Sequence, residues 1–486
     1  MSSVRRSIFL SLADNYLGMA LQLGASLIIA RLLTPAEIGV FAVASVFAAM
    51  ASTFRDFGVA EYLIQEKELT KEKIQAALAA NIAVSWLMAV LLFVSSGAVG
   101  DFYGQTGVTE VMRIQSANFL LVPFGAVAMA YHRRELNYRP ILIVGLGSNV
   151  TGFVVATICA WFGFGYLSMA WSSLASIAVT VSMSLLYRPK DFPRWPRLAG
   201  IGKILHFGKH VTGIYLFGQI GKYAPEAVIG RALNMPSVAY FSRGSGLMEL
   251  FNRTVLRSIT PVCLPYFSQA RRDGKPTKEG YLKAMVLITG IGWPFFVFLA
   301  VAAYSIIRLL YGSQWMASVP LAQILCLAAI FQLPYYLATE VLIAEGRVDQ
   351  SNKLQFLVQA VRVSSLSLAF PFGLLGVCWG LVASSIAGGV IAQFFLRRMI
   401  DLRFRELLSA CFPSIKSALT TVMPVVILAL LTEQNEISYL RFLLEGGALT
   451  GLSWLLSLLL WQHPFWNEIK NMTGKIKARS GSGRQS

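Results

Sequence analysis

Charged side chains are scarce in this chain: Asp, Glu, Lys and Arg make up 14% of its 486 residues, where a soluble domain holds about a quarter. Acids are the scarcer kind, 24 against 42 Lys and Arg, for a formal charge of +18. Cys159, Cys263, Cys326, Cys378 and Cys411 are isolated, odd in number and each within or beside an apolar run. That distribution excludes a disulfide framework or clustered metal site and leaves them as small core residues. His206 and His210 stand four apart without a companion carboxylate or cysteine, so they read as interfacial polar residues. No loop holds a Walker sequence, a Ser-His-Asp arrangement or paired carboxylates. Gly145 and Gly147 lack the strand and third glycine of a dinucleotide loop; inside an apolar run they permit close helix packing. No segment between apolar runs exceeds about 20 residues, too short for a globular domain of about 50. Catalytic, metal and cofactor sites are therefore expected to be absent, and the chain is expected not to be an enzyme.

Apolar surface is what the chain has in abundance, with 56% hydrophobic residues and a mean hydropathy of +0.60. Windows of about 20 residues place spans at 12–32, 38–57, 77–97, 113–131, 140–162, 166–187, 210–230, 237–261, 284–304, 319–341, 354–372, 374–396, 412–431 and 442–461. The expected fold is an all-α integral membrane protein of about fourteen transmembrane helices. Met1 to Leu12, with Arg5 and Arg6, resembles the start of a signal peptide, but the apolar stretch continues to Leu33 without a convincing cleavage site. It reads as a retained first helix.

With the N-terminus in the cytoplasm, about 31 of the 42 Lys and Arg fall in inner segments and about 5 in outer ones, as the positive-inside rule requires. The basic excess is thus a topology signal, and no nucleic acid is expected as partner. Both termini are expected on the cytoplasmic side of a bacterial inner membrane. The tail, residues 466–486, turns basic and rich in Ser and Gly, and is expected to lie disordered beside anionic headgroups.

Shifting the sequence by 200 residues against itself matches Gly18 with Gly218, Ile29 with Ile229, Arg31 with Arg231, Leu33 with Leu233, Phe41 with Phe241 and Ser45 with Ser245. The shift carries the first span onto the seventh, so the halves keep one orientation. Two parallel six-helix lobes are expected, residues 1–200 and 201–400, followed by a helix pair at 401–465. Transporters built from repeats place substrate between such lobes and rock one against the other.

Asp14, Arg55, Asp56, Lys222, Glu226, Arg243, Glu249, Arg253, Arg257, Glu340 and Arg362 fall within the expected spans. Each deeply placed Arg, Lys or Asp costs about 2.5–3.5 kcal/mol, so these groups must face protein or water. Lys222 and Glu226, and Glu249 and Arg253, are four apart and share helical faces. Gln355, Gln359 and Arg362 form a polar stripe on the eleventh span. Lys222, Arg243, Arg253, Arg362, Gln355 and Gln359 are candidate ligands for a diphosphate, whose oxygens accept charge-assisted hydrogen bonds. Internal ion pairing that locks the bundle is the competing reading. Asp14, Glu226 and Glu249 are candidates for a coupling ion, proton or sodium. Arg55, Asp56, Arg257, Asp14 and Glu340 sit close to the cytoplasmic boundary, where snorkelling explains a charge.

The segment Ala30 to Gln65, ARLLTPAEIGVFAVASVFAAMASTFRDFGVAEYLIQ, resembles the opening hairpin of the polysaccharide transporter family. That family comprises Wzx-type flippases related to MATE exporters and the lipid II flippase. Leu310 to Leu325, LYGSQWMASVPLAQIL, resembles its LFG-x-x-W element, and Ala344 to Arg347, AEGR, its small-residue-Gly-Arg turn. The resemblance implies a two-lobed, V-shaped fold and export of polyprenyl-diphosphate-linked oligosaccharides, here undecaprenyl-linked units of an exopolysaccharide, capsule or O-antigen. It also implies the bilayer and polysaccharide polymerase machinery as partners. Ala13, Asp14 and Asn15 stand where lipid II flippases carry arginines, which argues against peptidoglycan precursor as cargo. A membrane-embedded polymerase or ligase would need a sizeable outer loop, and a cationic-drug exporter a cavity dominated by acids.

Overall fold

The computed structural model describes residues 2–56, 59, 62–63, 66–189, 192–193, 195–431, 436–468 and 470. Side chains at 2–9, 12, 56, 203, 205–217 and 436–438 lie outside the description, which takes in Asp56, His206 and His210; so does the tail from 471. Among the described residues the chain is all helix. In order these are α1 (Ser2–Leu32), α2 (Pro35–Asp56), α3 (Lys71–Tyr103), α4 (Thr106–Leu121), α5 (Pro123–Arg134), α6 (Tyr138–Trp161) and α7 (Leu167–Leu186). There follow α8 (Ile201–Ala232), α9 (Met235–Phe251), a π-helical turn (Asn252–Leu256), α10 (Arg257–Arg272), α11 (Thr277–Leu310) and α12 (Ser318–Gln332). The last are α13 (Ala338–Ala344), α14 (Val348–Ala369), α15 (Gly373–Ile400), α16 (Phe404–Leu431) and α17 (Glu436–Leu460).

Nine helical stretches among the described residues are long and apolar enough to cross a membrane, or ten if the pair α4 and α5, bent by 53° at Pro123, counts as one span. Of the expected fold, the all-α, multi-pass membrane architecture is what these stretches show. One of the nine, Val348–Ile400, is itself the hairpin of α14 and α15, which pack on each other across the turn at Phe370–Phe372 and a left-handed Gly373. Three expected spans, 12–32, 210–230 and 237–261, are not among these stretches: the helices of the first two carry polar residues, and the third is divided by the π-helical turn into two helices of 17 and 16 residues. The polar residues are Asp14 and Asn15 on α1 and Lys222 and Glu226 on α8.

Two compact units divide the chain, Met1–Ala239 and Tyr240–Ser486. In the first, α6 packs on α7 and α1, α3 on α4, and α8 on α2 and α3. The entry to α2 is a capping box. Glu37 Oε2 accepts from the Thr34 N–H (2.8 Å) and hydroxyl (2.7 Å), the Glu37 N–H donates to Thr34 Oγ1 (3.3 Å), and Pro35 fills the first helical position. At the equivalent place 200 residues on, Asn234 Oδ1 accepts from the Ser237 N–H at 2.9 Å. Helices stop at Leu32 and Ala232 and restart at Pro35 and Met235, so both members of the repeat turn at the same register. Gly39 lets α2 meet the start of α9 backbone to backbone: a Cβ there would overlap the Met235 carbonyl oxygen.

Gly145 and Gly147 bring α6 close to its neighbours, as their place in an apolar run predicts; a Cβ on Gly145 would lie 2.5 Å from Asp14 Oδ1, and on Gly147 2.7 Å from Met183 Sδ. Arg134 ties down the segment between α2 and α3, donating to the carbonyls of Leu63 (2.6 Å), Glu66 (2.5 Å) and Lys67 (3.2 Å). Beside it the Lys73 ammonium, 3.1 Å from Glu66 Oε1, holds that carboxyl below its ordinary range.

In the second unit, α11 packs on α16, α12 and α17, and α15 on α14 and α12. A buried polar cluster ties α11, α16 and the turn after α17. Thr289 Oγ1 donates to Ser414 Oγ (3.0 Å), which lies 2.9 Å from His463 Nε2, and Ser417 and Ser457 share a hydrogen bond of 2.5 Å. The five cysteines are free.

Candidate functional site

The second unit holds a polar cavity of about 300 Å³ between α13, α14 and α15. Three local features make it. The turn Leu333–Tyr335 breaks the helix between α12 and α13, and Tyr281 donates to the Pro334 carbonyl at 2.8 Å, fixing the break. Beyond it, Tyr335, Tyr336, Thr339 and Glu340 line the cavity. On α14, spacings of four and three bring Gln355, Gln359 and Arg362 to the same wall, and Gln355 Nε2 donates to Thr339 Oγ1 at 3.3 Å. On α15 the wall is small: Ser384, Ser385, Gly388, Gly389 and Ala392. Gly389 is needed there, because its Cβ would stand 2.8 Å from the Tyr335 ring.

Two acceptors in this cavity, Glu340 Oε2 and Gln359 Oε1, are shut away from solvent and receive no hydrogen bond among the described residues. Leaving a buried acceptor unsatisfied costs about 1–3 kcal/mol, so each is a place for a ligand or water to repay. Glu340, expected to snorkel at the boundary, instead lines the cavity with its Oε2 shut away from solvent.

A chain of polar contacts runs from the cavity to α9. Tyr336 OH lies 3.5 Å from Asn252 Oδ1, and Asn252 Nδ2 donates to Glu249 Oε2 at 3.0 Å. Glu249 Oε1 lies 3.5 Å from Arg253 Nε and 3.8 Å from a terminal nitrogen of Arg257. The predicted pairing of Glu249 with Arg253 therefore forms. It reaches from α9 into the π-helical turn Asn252–Leu256, a distortion frequent at functional sites.

The other predicted residues are placed elsewhere. The Arg243 guanidinium lies 5.1 Å from the ring centres of both Tyr311 and Trp315, a cation–π cage. Trp315 is wholly buried and Tyr240 meets it edge-on. The sequence element around Trp315 thus serves to hold Arg243. Lys222, on α8, is exposed, with its ammonium 5.5 Å from the Tyr223 ring centre. Glu226 shares that helix, and Asp14 lies against Gly145; all three belong to the first unit. The structure therefore gathers Gln355, Gln359 and Arg362, links them through Tyr336 to Glu249 and Arg253, and sets Arg243 in its own cage. Sequence reasoning missed Thr339, Tyr335, Tyr336, Asn252, Ser384 and Ser385. Their signal was polarity within apolar helices, but only the break at Pro334 and the π turn put them on one side. No group of three or more His, Cys, Asp or Glu side chains suited to a metal exists among the described residues.

Residues 28–320 match the family described as "Polysaccharide biosynthesis protein". The chain is 22% identical over 452 residues, 91% of each chain, to "Lipopolysaccharide biosynthesis protein WzxC" of Escherichia coli (strain K12). It is 27% identical over 308 residues to "Succinoglycan biosynthesis transport protein ExoT" of Rhizobium meliloti (strain 1021), covering 62% of this chain and 61% of that one. Its fold resembles the solved "Lipid II flippase MurJ, inward closed conformation", with a TM-score of 0.74, 15% identity, and coverage of 95% of this chain and 99% of that one.

Proposed function

The chain belongs to the polysaccharide biosynthesis protein family, and from that premise we propose that it is a membrane flippase that exports lipid-linked oligosaccharide repeat units. Transport, rather than catalysis, is its activity. One observation carries the reading: a cavity of about 300 Å³ in the second unit is lined by amides, hydroxyls, the Glu340 carboxyl and the Arg362 guanidinium. Ligand pockets begin at about that volume. A diphosphate finds in Arg362 a fork of donors, and sugar hydroxyls find amide partners in Gln355 and Gln359.

In this proposal the cargo is an undecaprenyl-diphosphate-linked oligosaccharide, and Gln355, Gln359 and Arg362 receive its headgroup. Lys222, Arg243 and Arg253 make further contacts along the route, and Asp14, Glu226 and Glu249 are the carboxylates available to a coupling ion. Fourteen spans in two six-helix lobes and a final pair, with both termini cytoplasmic and a polymerase receiving the cargo outside, complete the proposal. The positive-inside charge pattern, the repeat at the two capped hairpins and the family membership support it.

Deleting the gene should leave the lipid-linked unit on the cytoplasmic leaflet and remove surface polymer. The purified protein in proteoliposomes should move a fluorescent polyprenyl-diphosphate oligosaccharide between leaflets. Unchanged leaflet distribution in the deletion strain, or liposomes no faster than protein-free ones, would refute the proposal.

A further inference from the structure

Among the side chains lining the α13–α15 cavity, two are charged, Glu340 and Arg362. Glu340 Oε2 is closed to solvent and accepts no hydrogen bond among the described residues. The titratable groups facing it are Tyr336 on its own segment, Cys263 from α10 and Tyr281 from α11, all uncharged as hydroxyl or thiol. From α15 come Ser384 and Ser385, and from α14 the two glutamines and Arg362; Tyr335 completes the surround. Beyond α13, Arg271 and Glu345 lie 3.7 Å apart and offset one another. Glu249 and Arg257 reach the cavity only by way of Tyr336 and likewise pair.

A diphosphate diester brings two negative charges. Inside about 300 Å³ it takes the field of Arg362 for itself and leaves the Glu340 carboxylate facing like charge with no cation to spare. Anionic groups that close, in a site of low dielectric, do not all stay ionised. The diester phosphates are strong acids and the carboxyl is the weak one, so the proton settles on Glu340. Resting on the reading of the cargo given above, we infer that Glu340 takes up one proton when a lipid-diphosphate headgroup enters this cavity and returns it when the headgroup leaves. The proton comes from water, one O–H bond forms on the carboxyl, and no bond in the ligand breaks. The protonated carboxyl then becomes a donor to a phosphate oxygen, which satisfies the orphaned atom.

The test uses the purified full chain and farnesyl-diphosphate-linked N-acetylglucosamine, whose two phosphates each keep one charge from about pH 5.5 to about pH 8.5. Titration calorimetry in two buffers of different ionisation enthalpy counts protons taken up by the wild type, with no variant needed. The expected result is an uptake approaching one proton, and a Kd that weakens by up to about tenfold per pH unit on the alkaline side. Glu340→Gln, close in shape and unable to ionise, should bind without proton uptake, with a flat pH profile and more tightly than wild type at high pH. Binding by the wild type with no proton uptake, or a pH slope unchanged in Glu340→Gln, would overturn the inference and leave the cargo reading standing. No binding by the wild type at any pH would overturn both.

Discussion

Replacing His463 with Gln separates a titrating contact from the rest of the second unit. His463 stands in the turn beyond α17 and is fully buried. Its Nδ1 accepts from the Phe465 N–H at 3.1 Å, so the ring proton sits on Nε2 and is donated to Ser414 Oγ at 2.9 Å. The Ser414 hydroxyl passes its own proton to the Val286 carbonyl at 3.3 Å. A second ring proton would point at an N–H donor, and burial pushes the ring down to about 4. In the unfolded chain a histidine titrates near about 6.5. Between these values the unfolded chain binds the extra proton, so the stability is complete above about pH 6.5 and is lost as pH falls through about 4. From pH 7 to pH 5 the loss integrates to about 2 kcal/mol. Thermal unfolding of the detergent-solubilised protein should therefore drop by a few degrees more over that range in the wild type than in His463→Gln. The variant itself should be less stable at pH 7, since Phe465 loses its acceptor. Equal pH dependence in both proteins would refute the reasoning.

Gly39→Val should prevent accumulation of folded protein, since its branched side chain meets the Met235 backbone; a monodisperse, normally melting variant would count against that close approach. Thr34→Ala removes the cap of α2 and should cost about 1 kcal/mol in unfolding measurements, while Thr34→Ser keeps most of it. Arg362→Gln should leave thermal unfolding near the wild-type value and abolish leaflet transfer of the oligosaccharide lipid. Transfer at the wild-type rate would remove Arg362 from the proposed headgroup site.

The parts of the fold and site legible in the sequence were those set by local spacing. Thr34, Pro35 and Glu37 sit in the segment whose likeness to a family hairpin was evident, and they form the capping box that makes that turn. Gln355, Gln359 and Arg362 share a wall because α14 is regular, so three- and four-residue spacing sufficed. Where a helix breaks, spacing misleads. Glu340, placed at the boundary by its position near the end of the expected span 319–341, lines the cavity beyond the turn Leu333–Tyr335. The π turn similarly allows Glu249 to reach both Arg253 and Arg257. Hydropathy, for its part, cannot tell a span that carries charge from a helix outside the membrane, which is why α1 and α8 escape the apolar test, while the π turn leaves α9 and α10 each too short to meet it.

Two kinds of polar group thus coexist in the second unit, and their energetics differ. Glu249, which meets the exposed Arg253 and Arg257, and the buried Arg243 in its aromatic cage have partners within the protein. Gln359 Oε1 has none among the described residues, and a bundle selected for stability alone would carry an apolar residue there. Gln359→Leu consequently should raise the thermal stability of the ligand-free protein, by up to the 1–3 kcal/mol of an unsatisfied buried group, on the order of a few degrees. The same change should weaken binding of the farnesyl-diphosphate sugar, because the amide that would meet a sugar hydroxyl is gone. Opposite movement of the two measurements distinguishes a site kept for a ligand from one kept for packing. A variant that melts below wild type would show that Gln359 holds the bundle together, and the case for this cavity as the headgroup's place would fall with it.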